Sequence, residues 1–355
     1  MTPVELSSTV LRAVRRAVDA GELDVGVPRR AQVVPPGPGG RGDYATNVAL
    51  QLARPAGRPP HEVAAILQPY LRGTAGVTRV DITGPGFLNI TLRGRGQALV
   101  GEVLRRGERY GYADAPTGEL VRLHHPREVR AAVTGQVVAR ILRSQGVAAR
   151  TYCAGEPDPA WAEVLGVDGD DHGVGQGADR TPGAPLDVGL RPVPAGQDPR
   201  PLGRDAGRWA LLHPAPHDRP RITGEHLVQR EGNPLFRVRY AHARSRALSR
   251  NAAGLGFSGV AGDPGGSQDC GALLDALDTY PHALAAAARH RAPDRLARHL
   301  VTTADAVLAF QHGVLPPGDE KPSAAHRARL ALAEAAGTVL AGGLSLLGID
   351  APEHL

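Results

Sequence analysis

Lysine is almost missing from this chain: of its 41 basic residues, only Lys321 is not arginine. Chemistry that needs clustered ammonium groups is therefore excluded over nearly the whole length. Arginine's planar fork instead suits phosphate and base recognition, although a bias toward GC-rich codons would leave the same mark. Aromatic residues make up only 4% of the 355 residues, so alanine and arginine must do much of the structural work. The two cysteines, Cys153 and Cys270, stand far apart without a CxxC partner. That spacing excludes a cysteine-based zinc site and a disulfide framework. No apolar run approaches the length of a membrane span, and residues 1–20 carry charges throughout rather than a signal-peptide core. The expectation is a cytoplasmic protein without a membrane partner.

What is present allows two or three domains with packed cores: 42% of residues are apolar, beside 45 Gly and 31 Pro. The net charge of +5 is modest. It is concentrated in residues 1–115 and 202–355, whereas 116–201 is slightly acidic.

The first of these stretches reads as mixed α and β. Leu6, Val10, Val14 and Val18 form a helical stripe, and a second helix is expected over 43–53 with Asp43 as its N-cap. A third follows Pro59-Pro60, and a fourth spans about 96–107. Val80 and Ile82 alternate with polar residues, as do Leu88, Ile90 and Leu92, and Gly84-Pro85-Gly86 between them marks a hairpin. Residues 120–124, 128–145 and 147–153 read as one strand–helix–strand unit, too small for a doubly wound nucleotide-binding sheet. Residues 155–201 hold nine Gly and eight Pro in 47 positions, a linker composition. Helices are then expected at about 202–212, 223–254, 270–290, 293–312 and 323–347, with Gly348 as the last stop.

On a helix over 233–251, Phe236, Tyr240, Ala243 and Ala247 are expected to make the apolar face. Arg239, His242, Arg246 and Arg250 fall on another face, either as a solvated stripe or as a phosphate-binding one. Arg291, Arg295 and Arg298 form a second stripe with the same two readings. The cluster from Asp168 to His172 has carboxylates that hard cations favour, but no glutamate closes a calcium loop, so no metal is expected. His213 and His217 are separated by two prolines that prevent a helix, and Lys321 reads as a solvated loop residue.

Several segments carry a resemblance. These are Gly42-Asp43-Tyr44-Ala45-Thr46-Asn47-Val48-Ala49, Gly84-Pro85-Gly86-Phe87-Leu88-Asn89-Ile90 and Gly203-Arg204-Asp205-Ala206-Gly207-Arg208-Trp209. To them are added the run from Asn233 to Arg244 and the chain's last ten residues, from Leu346 to Leu355. Together they resemble the N-terminal tRNA-contacting domain and the C-terminal anticodon-binding domain of arginyl-tRNA synthetases. The resemblance implies an α+β fold made of a small N-terminal α/β domain (1–115), a vestigial nucleotide-fold fragment (116–154), a Gly/Pro-rich linker (155–201) and an all-α anticodon-binding bundle (202–355).

It also implies tRNA contacts. Phe87 would offer a stacking surface and Asn89 an amide for a base edge, while Arg239, His242, Arg246 and Arg250 would serve the anticodon side. Synthetases of this class activate their amino acid with a His-x-Gly-His turn and a lysine-rich loop. Here His124-His125-Pro126-Arg127-Glu128 runs straight into a helix without the turn, and no lysine precedes Lys321. His124 and His125 precede the position of that signature. The expected protein is thus a non-catalytic binder of tRNA, arginine tRNA above all, with no cofactor. A full synthetase or another protein is a further possible partner. An arginine–tRNA ligase using ATP and arginine, alone or with a partner chain, is one alternative. A helical protein-interaction module without RNA binding is the other.

Overall fold

The computed structural model describes residues 3–34, 36, 42–92, 94–167, 185–264 and 268–355. They form two compact units that divide between Ala98 and Leu99. The division falls inside a helix and before residue 115, where the sequence suggested a boundary.

In the first unit α1 (Pro3–Asp19) turns Leu6, Val10, Ala13, Val14 and Ala17 inward, a helical repeat of three and four. With α2 (Val48–Ala56) and α3 (Pro60–Arg72) it packs on one face of an antiparallel sheet. The sheet comprises β1 (Val33–Val34), β2 (Tyr44–Thr46), β3 (Val77–Thr83) and β4 (Phe87–Leu92), in the order β1-β2-β4-β3. Leu88, Ile90 and Leu92 point into the core, while Phe87, Asn89 and Thr91 alternate to the other face. The expected helix start at Asp43 is corrected here. Residues 44–46 pair with Leu88–Ile90 as a strand, and Asp43 instead accepts the Leu92 amide on Oδ2 at 2.6 Å. An aspartate beside a Gly reads equally as a cap or as a strand clamp; the β4 partner that decides lies more than forty positions away.

The second unit joins what the sequence divided. α4 (Arg95–Arg106) leads to the parallel unit β5 (Leu120–Pro126), α5 (Val129–Ser144) and β6 (Ala148–Ala154). A third parallel strand, β7 (Leu186–Gly189), adds on the far side of β5. It comes from the stretch expected to be a linker, as does α6 (Pro159–Leu165). Leu165 is fully buried, and Gln136 donates to the Gly166 carbonyl. The described parts of 155–201 therefore contribute Leu165, Val167 and Leu190 to the core.

The α-helical remainder is α7 (Gly203–Leu212), α8 (Pro234–Gly254), α9 (Gln268–His290), α10 (Pro293–Phe310) and α11 (Ala324–Leu347). The single helix expected over 223–254 starts only at Pro234. Asn233 caps it by accepting the Leu235 amide at 3.1 Å, and proline sits at the first helical position. α11 is long and apolar enough to cross a membrane, contrary to the reading that no such run exists. It is the buried centre of the bundle, packed on α8, α9 and α10.

Two buried arginines hold this unit together. Arg130 of α5 spends all five N–H groups on carbonyls. Nε reaches Leu211, Nη1 reaches Val193 and Asp218, and Nη2 reaches Pro214 and Ala215, at 2.7–3.1 Å. Arg208 of α7 donates to Leu347 at the end of α11, to Gln136 and to Leu165. One hydrophobic cluster accordingly runs from Val121, Val133 and Ile141 through Leu165 and Trp209 to the core of α8–α11. The fragment 116–154 and the helices beyond 202 are thus not separate bodies.

Candidate nucleic-acid interface

α8 is rotated from the phase expected for it. Its buried side is Leu235, Val238, Ala241, His242, Ser245, Leu248 and Ala252, together with Ala243, the one member of the expected face that is buried. Phe236 and Tyr240 lie toward the outside and stack on each other, with ring centroids 5.5 Å apart and planes at 15°. Tyr240 is 38% exposed. Both phases repeat every three to four residues, and the two large rings favoured the wrong one.

The basic residues of α8 have different fates. His242 is buried and donates from Nδ1 to the Pro352 carbonyl at 2.9 Å, so it ties the helix to the end of the chain and offers nothing to RNA. Burial holds its imidazole below the usual histidine range, against the opposing effect of that carbonyl. Arg239 pairs with Asp205 at 3.3 Å, and Asp205 in turn accepts the Asp350 amide. Arg246 lies exposed with Nη2 2.9 Å from Glu353 Oε1, and the hydrogen bonds from that guanidinium lower the Glu353 carboxyl's pKa. Arg250 donates to the Glu353 carbonyl at 3.2 Å. Of the expected stripe only Arg246 and Arg250 are exposed, and residues 352–354 lie against them, a contact the sequence pattern gave no way to foresee. Of the second stripe, Arg298 pairs with Asp294 at 3.3 Å.

Beside Phe236 and Arg239 is a cavity of about 320 Å³, lined also by Arg204, His226, Leu227 and Asp350. A second opening of about 740 Å³ is lined by Arg109, Arg140, Arg143 and Arg204. Neither was legible as a site, because its arginines come from elements far apart in the chain.

In the first unit the two named residues part company. Phe87 is 38% exposed at the start of β4. Asn89 is buried between β2 and β3, and its amide donates to Thr83 Oγ1 at 2.6 Å. That amide is committed to the sheet, which corrects the expectation of a base contact.

At the end of β5, the position expected for a nucleotide signature is closed from within. Glu128 caps α5, its Oε2 accepting the Ala131 amide at 2.8 Å and its Oε1 the Ala195 amide at 3.0 Å. A carboxylate thus fills a helix N-terminus that could otherwise hold phosphate. His125 is buried with Nδ1 donating to the Pro126 carbonyl, and His124 lies exposed on the opposite sheet face. Among the described residues no cluster of three or more metal-ligating side chains occurs. The cluster from Asp168 to His172 lies outside the described residues.

Comparison with known proteins agrees with this architecture. The family model described as the arginyl tRNA synthetase N terminal domain matches residues 5–92. That of the DALR anticodon binding domain matches residues 238–355. The arginine–tRNA ligase of Frankia alni is 28% identical over 558 aligned positions that cover all of both chains. That of Kineococcus radiotolerans is 42% identical over 160 residues, covering 41% of this chain and 29% of the relative. The fold is similar to that of Thermus thermophilus arginyl-tRNA synthetase, with a TM-score of 0.54 at 15% identity and full coverage of both chains. The chain is therefore an arginyl-tRNA synthetase-related protein that carries that family's N-terminal and DALR anticodon binding domains.

Proposed function

We propose that this protein binds tRNA, with arginine tRNA the ligand its family suggests, and does not aminoacylate it. The observation that carries the second half is the α5 N-terminus, where the Glu128 carboxylate caps the helix at the Ala131 amide and no His-x-Gly-His sequence occurs anywhere in the chain. The missing lysines before Lys321 support it further, because pyrophosphate stabilisation needs fixed charge in the transition state. The 558 positions aligned with the Frankia ligase also exceed this chain's 355 residues, as a large internal deletion requires. RNA binding is supported by the outward Phe236–Tyr240 stack with Arg246 on the same helix, and by the arginine-lined openings nearby.

The test has two parts. Arginine tRNA should bind the purified chain with a negative log–log salt dependence. Tyr240→Ala should weaken it about 10-fold, in line with one lost base stack. Arginine-dependent ATP–pyrophosphate exchange should stay at background. Exchange above background would restore the ligase reading, which the end-to-end match to ligases favours. No tRNA binding at low salt would leave a protein-interaction module as the better account.

A further inference from the structure

Parallel sheets ordinarily bury both faces, because crossover helices cover them. The β6-β5-β7 sheet covers one. α5 lies against the face that carries Val121, Leu123 and Ala149, all buried. It lies so close that a Cβ on Gly135 would come within 3.0 Å of His125 Cδ2 and 3.6 Å of Thr151 Cγ2. On the other face stand Arg122, His124, Arg150, Tyr152 and Asp187, none of them buried. Register sets them side by side: Arg122 opposite Arg150 and Asp187, and His124 opposite Tyr152.

This face is organised. The His124 and Tyr152 rings stack with centroids 5.1 Å apart and planes at 20°. Asp187 Oδ1 lies 2.7 Å from His124 Nε2, which fixes the ring's orientation and engages the one carboxylate of the group. Arg122 and Arg150 make no hydrogen bond or ion pair among the described residues. Elsewhere in the unit Arg130 spends every N–H on a carbonyl, and Arg208 donates to Leu347, Gln136 and Leu165. Two uncommitted guanidinium groups beside a row of parallel rings match the chemistry of an unpaired nucleotide: a base extends the stack, and phosphates meet the cations. A duplex fits poorly, since its bases are already stacked.

We propose that the exposed face of this sheet binds unpaired nucleotides of an RNA strand, with a base on the His124–Tyr152 row and phosphates at Arg122 and Arg150. The inference rests on the reading of the chain as an RNA binder, but uses residues separate from those of α8.

The experiment uses the full chain with a labelled, unstructured oligouridylate carrying 4-thiouridine, its duplex with oligoadenylate, and uridine monophosphate. The single strand should bind at low salt, crosslink to the peptide holding Tyr152, and outcompete the duplex. Tyr152→Ala should weaken binding about 10-fold, Tyr152→Phe should retain it, and Arg122→Glu should weaken it with the circular dichroism spectrum unchanged. Tyr240→Ala should leave oligouridylate binding intact while weakening tRNA. Crosslinks confined to other peptides, equal binding by Tyr152→Ala, or no oligouridylate binding would overturn the proposal, even if tRNA still bound through α8. Equal competition by uridine monophosphate would overturn it in favour of a free-nucleotide site. Loss of tRNA binding alone would sink only the function proposed above.

Discussion

At the scale of single residues, the abundance of arginine hides two different uses. Arg130 is 1% exposed, and burial draws its pKa below the usual range, yet no carboxylate faces it at hydrogen-bond distance. Five carbonyls instead solvate the cation and fasten residues 193 and 211–218 to α5. Composition cannot separate such a residue from a solvated one. Three histidines make a measurable prediction. His213, His242 and His299 all have imidazoles held below the usual range, with burial the leading cause. The unfolded chain, with histidines near about 6.5, binds more protons in that window. The stability they lend is complete above that pH and is lost as pH falls toward the folded values. Glu334, whose carboxyl is raised by burial, opposes this as a single group. The urea midpoint should therefore fall from pH 7 toward about 5 with an unchanged slope. A midpoint that holds steady or rises below pH 6.5 would mean the rings are charged in the folded state.

At the scale of elements, the ends of helices were more legible than their faces. Gly348 stops α11 at a φ of 71°, as its place after the apolar run suggested. What the sequence could not show is that the end is also crowded: a Cβ there would come within 2.5 Å of Arg140 Nη1 and 2.6 Å of Arg208 Nη2. Gly57 closes α2 at a φ of 61° with nothing within 4 Å of the same position. Gly57→Ala should thus cost only the left-handed backbone, about 1–2 kcal/mol. Gly348→Ala should cost clearly more, because it also displaces the guanidinium that binds the Leu347 carbonyl. Equal losses in urea unfolding would show that the arginines yield freely. Faces failed where two phases were both apolar. α8 offers Phe236–Tyr240–Ala243–Ala247 and Leu235–Val238–Ala241–Ser245–Leu248, and only packing on α10 and α11 chooses the second, keeping Ala243 alone of the first. The same limit hid Asn89, which alternation places outward and β2 and β3 then bury. The β5–α5–β6 unit was legible because local periodicity defines it. β7 was not, because four residues in a Gly/Pro-rich stretch carry no period of their own.

At the scale of the molecule, the sequence suggested a modular chain with a break at 155–201, and the packing denies the break. α7 is fully enclosed along Ala206–Leu212, and its helix neighbours are α5, α6, α10 and the end of α11. Arg208 alone joins Gln136, Leu165 and Leu347, so residues before and after the supposed linker share one polar network as well as one apolar cluster. Cutting the chain at 202 would leave α7 without α5 and α6, and would strand the buried Arg208 without two of its acceptors. A buried charge that loses its partners is among the costliest defects a core can carry. The fragment 99–355 should therefore unfold in urea in one transition, with a slope appropriate to its whole surface. The fragment 202–355 should unfold at lower urea, bind a hydrophobic dye while still helical, and exchange the amides of α7 rapidly. Mixing in 99–201 should restore protection to α7, since the missing acceptors and apolar partners all lie there. If instead 202–355 unfolds at the same midpoint as 99–355, the helices beyond 202 are an independent domain and the strand–helix–strand fragment is merely attached to it.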